Sequence, residues 1–146
     1  MAYLFDTNTF VRLAEQHSPM REAVLNAIRK LRQSGEKLCY APQVLAEFWN
    51  VCTRPRSARG GLAIPVDRVD QKARLIEKYF ELLPDNLATF NEWRRLVADL
   101  KIAGVQVYDA KLVSTMLVHG VPNLVTFNTE DFRRFPIIRA IHPSDV

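Results

Sequence analysis

Apolar residues in this chain fall either in short unbroken runs or at helical spacing, and the switch between the two patterns predicts its elements. Tyr3-Leu4-Phe5 is an unbroken run that leads directly into Asp6, Thr7 and Asn8. A run without alternation predicts a strand covered on both faces, as in a parallel sheet. Phe10, Val11, Leu13 and Ala14 then predict a helix reaching His17, stopped by Ser18-Pro19. Val24, Leu25, Ile28 and Leu31 predict a second helix, closed by Gly35, with Arg29, Lys30 and Arg32 suited to the negative end of its dipole. Residues 37–41 predict a strand. Pro42 opens a helix running to about Thr53, with Val44, Leu45, Phe48, Val51 and Cys52 on its apolar face.

Residues 54–65 break the pattern, and their Pro and Gly predict a loop. Val69, Ala73, Ile76 and Phe80 predict a helix over about 66–82. Phe90, Trp93, Leu96, Val97 and Leu100 predict another, closed by Gly104. Residues 105–108 are too short a run to assign. Asp109 opens a helix carrying Ala110, Leu112, Val113, Met116 and Leu117, ended by Gly120 and Pro122. Residues 123–126 predict a strand running into Asn128, Glu130 and Asp131, followed by a turn at 132–135 and a last strand at 137–141. Strands separated by helices predict a three-layer α/β/α domain around a central parallel sheet. No repeat or change of composition divides the chain, so a single domain over 1–146 is expected.

Composition narrows the class. A hydrophobic share of 48% beside 25% charged residues excludes a disordered chain. No apolar run approaches the ~20 residues that span a bilayer, and the N-terminus enters the first strand without a leader pattern, so a cytoplasmic protein is expected. Cys39 and Cys52 lack zinc spacing and read as buried thiols. His17, His119 and His142 are scattered and pair with no nearby nucleophile motif, so a Ser/His or Cys/His site has no support. The net charge of +4 favours an anionic partner.

Position singles out the acids. Asp6 falls at the carboxyl end of a strand, where open α/β sheets bind ligands, and it is equally suited to cap the following helix. Glu47 lies at the border of an apolar helix face, where an acid needs a partner or reaches out to water. Asp109 stands at a predicted helix start, again either a site or a cap. Asp131 follows the strand at 123–126. Carboxylates returning to such ends can converge, and an oxygen-only donor set favours Mg²⁺ or Mn²⁺ over zinc. The cluster Arg54, Arg56 and Arg59, with no acid between Glu47 and Asp67, is a candidate phosphate contact, or simply a solvated basic loop.

Several stretches together resemble the PIN-domain ribonucleases, and more narrowly the VapC-type toxins of toxin–antitoxin pairs. They are Phe5-Asp6-Thr7-Asn8, Leu45-Ala46-Glu47-Phe48, Thr53-Arg54-Pro55 with its Gly-Gly-Leu loop, Tyr108-Asp109-Ala110-Lys111-Leu112, and Leu124-Val125-Thr126-Phe127-Asn128 with Asp131-Phe132. The ordered set spans nearly the whole chain. The resemblance implies a metal-dependent endoribonuclease using Mg²⁺ or Mn²⁺. Asp6 and Asp109 would be the principal ligands, and Glu47 would bind directly or through water. It also implies an RNA substrate, a small antitoxin partner and a homodimer. Thr7 and Asn8 would hold Asp6 and the attacking water, or merely cap the first helix. The chain departs from the family at Asn128, where an aspartate is usual, and Asp131 is placed to supply the missing charge.

Other readings stay open on sequence alone. A phosphatase of the haloacid-dehalogenase class needs a second aspartate two residues after the first, where Asn8 stands. A PIN-fold module that binds RNA or a partner with little catalysis is favoured by Asn128. An RNA-processing PIN nuclease without an antitoxin shares the same chemistry.

Overall fold

The computed structural model describes all of residues 1–146. Five strands pair in parallel throughout: β1 (Ala2–Phe5), β2 (Lys37–Tyr40), β3 (Glu81–Leu82), β4 (Asn123–Val125) and β5 (Arg139–Ile141). Their order across the sheet is β3-β2-β1-β4-β5. Six helices connect them: α1 (Thr7–Ala14), α2 (Arg21–Gln33), α3 (Pro42–Thr53), α4 (Val66–Tyr79), α5 (Leu87–Asp99) and α6 (Gln106–His119). Two 3-10 turns, Thr129–Phe132 and Pro143–Asp145, complete the chain.

Topology fixes where a site can lie. From β1 the chain steps outward through β2 to β3, then crosses back to β4 on the other side of β1. Right-handed crossovers therefore put α1 to α4 over one face and α5 and α6 over the other. The helix packing agrees, with α1 on α2 and α3, α3 on α4, and α5 on α6. The direction reverses between β1 and β4, and the crevice at the carboxyl ends of those two strands is where such sheets bind ligands.

Burial explains the strands. Leu4, Phe5, Leu124 and Val125 are fully buried, as two-sided coverage requires. Phe5, Phe10 and Phe80 pack in tilted or edge-to-face pairs with centroids 5.0–6.1 Å apart, joining β1 to α1 and the end of α4. Cys39 and Cys52 are unpaired and buried as expected, and burial pushes both thiols up to about 11. No helix is long and apolar enough to cross a membrane.

Several local expectations are corrected. The helix expected over 66–82 stops at Tyr79, because Glu81 and Leu82 pair with Cys39 and Tyr40 as the edge strand β3. The first helix stops at Ala14, not His17, and the last strand begins at Arg139. Phe90, placed on the apolar stripe of α5, is 54% exposed. That helix starts on a reciprocal Asn86–Thr89 capping box and ends at Asp99 rather than near Gly104. The unassigned residues 105–108 contain the first turn of α6, so Asp109 is its fourth residue and does not cap it.

Candidate active site

Asp6 follows β1 directly and caps α1, so the candidate site residue is also the helix cap. Its Oδ1 accepts from the Thr7 N–H at 2.7 Å, and its Oδ2 accepts from the Thr126 hydroxyl at 2.7 Å. Asn8 Nδ2 approaches Oδ2 at 3.4 Å, a weak contact beside its 3.1 Å bond to Thr126 Oγ1. Asn8 Oδ1 accepts from the Phe127 N–H, so this side chain staples the start of α1 to the end of β4. Burial raises the Asp6 carboxyl above its ordinary range, and the negative charges of Glu47 and Asp131 raise it further. The bonds from Thr126 and Thr7 pull the other way without cancelling that rise.

Glu47 comes from the second turn of α3, and both of its oxygens are held. Thr7 Oγ1 donates to Oε2 at 2.8 Å, and Gln43 Nε2, one turn earlier on the same face, donates to Oε1 at 2.9 Å. Thr7 thus touches both acids, through its backbone N–H and through its hydroxyl. Gln43 Nε2 also donates to the Tyr108 carbonyl at 3.0 Å, across the gap between the helical layers. Trp93 Nε1 donates to the Val107 carbonyl at 2.8 Å, a second tie on the first turn of α6.

Asp109 rides on that turn, and its carboxylate accepts no hydrogen bond from the protein. Burial, then the negative charges of Asp6, Asp131 and Glu47, push its carboxyl up to about 6. Asp131 is exposed on the 3-10 turn after β4 and faces the same space. Asn128 is exposed, and its backbone N–H donates to Thr126 Oγ1 at 3.1 Å. The four acids named from the sequence are therefore brought together at the β1–β4 crevice.

Two residues with no role assigned from sequence join the site, Thr126 and Gln43. Thr126 stands one residue past β4 as Asp6 stands one past β1, and Gln43 stands four before Glu47; those spacings were the available signals.

The arginine loop lies elsewhere. Arg56 lines a cleft of about 820 Å³ with Glu15, His17, Arg68 and Lys72, at the C-terminal end of α1. Eight residues of helix, roughly 12 Å, separate that end from Asp6. Arg54 is half-buried, and its Nε has no partner. Arg59 is exposed. The loop is ordered, since Leu62 and Ile64 donate to the Val51 and Cys52 carbonyls at the open end of α3.

The donor set can be tested against a divalent ion. No three His, Cys, Asp or Glu side chains stand close enough to close round one ion. Mg²⁺ does not need that, because it keeps several waters and is bound through one or two carboxylates. Two acids, Asp6 and Asp109, each raised by burial and by neighbouring negative charge, mark a place where a cation is favoured. The residues fit such an ion.

Comparison with known proteins agrees with the architecture. The VapBC2 complex of Rickettsia felis, bound to a DNA fragment from its promoter, has a chain superposing with a TM-score of 0.75 at 18% identity, over 97% of this chain and 98% of that one. VapBC-1 from nontypeable Haemophilus influenzae gives 0.70 at 18% identity over 99% of both chains. Mycobacterium tuberculosis VapC20, a sarcin-ricin loop cleaving toxin, gives 0.58 at 16% identity over 84% of this chain and 86% of that one. No curated protein sequence matches the chain. The family profile of the PIN domain matches residues 3–138, and the chain belongs to the PIN-domain family.

Proposed function

We propose that this chain is a divalent-metal-dependent endoribonuclease and the toxin of a toxin–antitoxin pair. The observation that carries the reading is the convergence of Asp6, Glu47 and Asp109 on the β1–β4 crevice, where Thr7 bonds to both Asp6 and Glu47 and the charges of Asp6 and Glu47 help raise the Asp109 carboxyl. Similarity to a toxin that cleaves the sarcin-ricin loop supports RNA as the substrate.

In this reading Asp6 and Asp109 bind the ion, Mg²⁺ or Mn²⁺, and Glu47 offsets its charge directly or through water. When bound, the ion would supply positive charge to a phosphate oxygen and make a neighbouring water more acidic. Thr126 and the Thr7 N–H keep the Asp6 carboxylate in one orientation, and the Thr7 hydroxyl does the same for Glu47. Asp131 adds negative charge at the rim where Asn128 is neutral. Arg56 and Arg59, at the far end of α1, meet RNA phosphates remote from the bond that is cut, while half-buried Arg54 supports the loop.

The partners follow from surface and similarity. VapBC complexes resemble this chain, which supports an antitoxin. An apolar groove of about 330 Å³ between α1, α2 and α4, walled by Phe10, Leu25, Ile28 and Ile76 with Arg21 and Lys72 at its edge, has the shape and charge for an apolar segment with acidic flanks. Leu45, Trp49 and Leu82 form an apolar surface at the β3 edge through which two copies would pair as a homodimer. The cytoplasm is the compartment such a nuclease requires.

The test is cleavage of an RNA pool with Mg²⁺, with Mn²⁺ and with chelator, beside Asp6→Asn and Asp109→Asn. Cleavage is expected to need the ion and to disappear in both variants. Metal-independent cleavage, or cleavage that survives both substitutions, would sink the reading. RNA binding without cleavage in the parent and in both variants would instead establish a binding module, the alternative that neutral Asn128 favours.

A further inference from the structure

We infer that Gln43 is a positioning residue that aims the Glu47 carboxylate by bracing it against the helix that carries Asp109. One nitrogen, Gln43 Nε2, donates both to Glu47 Oε1 at 2.9 Å and to the Tyr108 carbonyl at 3.0 Å. Both partners accept only, so the amide cannot be turned over without setting its oxygen against two oxygens. The orientation is held although Gln43 Oε1 is then buried with no partner. A structure that leaves a buried carbonyl unpaired is keeping the two donor bonds in preference to satisfying it.

What the bridge spans gives it a purpose. The Tyr108 carbonyl belongs to the same rigid peptide plane as the Asp109 N–H. Gln43 therefore sits one peptide unit from Asp109 and one hydrogen bond from Glu47, and it links α3 to α6. The Asp109 carboxylate accepts no hydrogen bond from the protein, so its place depends on how α6 is held. Of the protein bonds to Glu47, the one from Thr7 ties it to Asp6, and the one from Gln43 ties it to Asp109. Groups that hold metal-binding carboxylates typically change metal affinity or activity 10–100-fold when removed.

The inference rests on the metal-dependent reading above, and the experiment separates the two. Mn²⁺ binding is followed through the electron paramagnetic resonance signal of the free ion, in the parent, Asp6→Asn, Gln43→Met and Gln43→Asn. The shorter Asn retains polarity but cannot reach both partners. Gln43→Met and Gln43→Asn are expected to weaken Mn²⁺ binding about tenfold, to lower kcat on RNA, and to leave KM for RNA unchanged. In a Glu47→Ala background the Gln43→Met effect on Mn²⁺ is expected to shrink to the part carried by the bond to the Tyr108 carbonyl, since the carboxylate it aims is gone. Parent-like Mn²⁺ affinity in both Gln43 variants, or an undiminished loss in the Glu47→Ala background, would overturn the inference. A parent that binds Mn²⁺ no better than Asp6→Asn would overturn the metal reading, and this inference with it.

Discussion

The Thr126 hydroxyl donates to Asp6 Oδ2 at 2.7 Å and accepts from Asn8 Nδ2 and the Asn128 N–H, each at 3.1 Å. A hydroxyl has one proton and two lone pairs. Both nitrogens occupy the accepting side, so the proton is committed to Asp6. Thr126→Val removes a bond to a carboxylate, worth about 1.5–3 kcal/mol, and leaves two N–H groups unpaired. A lower urea midpoint is expected, with Thr126→Ser restoring most of it. Cleavage should fall in the Val variant and recover in the Ser variant.

Asp109 gives the protein a pH dependence whose sign can be worked out. Its carboxyl titrates near 3.8 when free and is pushed up to about 6 in the fold. Between those values the folded state holds the proton that the unfolded state has lost. The contribution of Asp109 to the stability of the metal-free chain therefore falls as pH rises from about 4 to about 6, and stays low above that. Full burial would make this about 3 kcal/mol, and partial solvent access reduces it to about 1 kcal/mol. Urea unfolding should show Asp109→Asn more stable than the parent at pH 7.5 and equal to it below pH 4. A parent that gains stability relative to Asp109→Asn across that window would contradict the assignment.

Asn128 tests the missing fourth acid. Its side chain is exposed and makes no hydrogen bond to the protein, while its backbone supports Thr126. Asn128→Asp adds charge without removing any hydrogen bond. Mn²⁺ affinity should rise several-fold, and the metal-free chain should lose under about 1 kcal/mol at pH 8, as expected for an exposed charge. Titration of the ion into both proteins checks this, and unchanged affinity would mean that position 128 does not face the ion.

Gly61 is where the basic loop closes on itself. A Cβ there would lie 2.0 Å from the Pro55 carbonyl oxygen, so the backbone would have to move. Gly61→Ala should cost about 2 kcal/mol, in the range of a severe local clash, and should raise hydrogen exchange at the Leu62 and Ile64 amides that close α3. Mn²⁺ affinity should match the parent, because the carboxylates lie elsewhere.

In the proposed function Arg56 and Arg59 act on RNA affinity alone. Replacing both with Ala should reduce the salt dependence of RNA binding by about 0.7 in the logarithmic slope for each phosphate that an arginine neutralised. Cleavage at saturating RNA should be unaffected. An unchanged slope would remove the loop from the RNA path.

Sequence legibility followed the range of the forces involved. Leu4-Phe5 and Leu124-Val125 announced buried strands because two-sided burial leaves a local apolar run. Glu81-Leu82 left no such trace, since two exposed residues become a strand only when β2 offers its edge. The first turn of α6 was equally silent, because it is fixed by Trp93 on α5 and Gln43 on α3, both distant in sequence.

Position relative to predicted elements singled out Asp6, Glu47, Asp109 and Asp131 as candidates, because a strand end or a helix border is a local property. It left cap and site open, and only the resemblance to PIN nucleases assigned roles to Asp6, Glu47 and Asp109. The parallel sheet was likewise determined by the alternation of buried runs and helical stretches. Tertiary structure decided that β1 and β4 are neighbours, and this alone gives the Thr126 proton to Asp6 and brings Asn8 to Phe127. It also decided that the arginine loop sits at the far end of α1, because the direction of a helix from its cap is not written in the residues of a loop forty positions later. Local hydrophobic period specifies elements; only the packing that joins them specifies which polar atoms share a hydrogen bond.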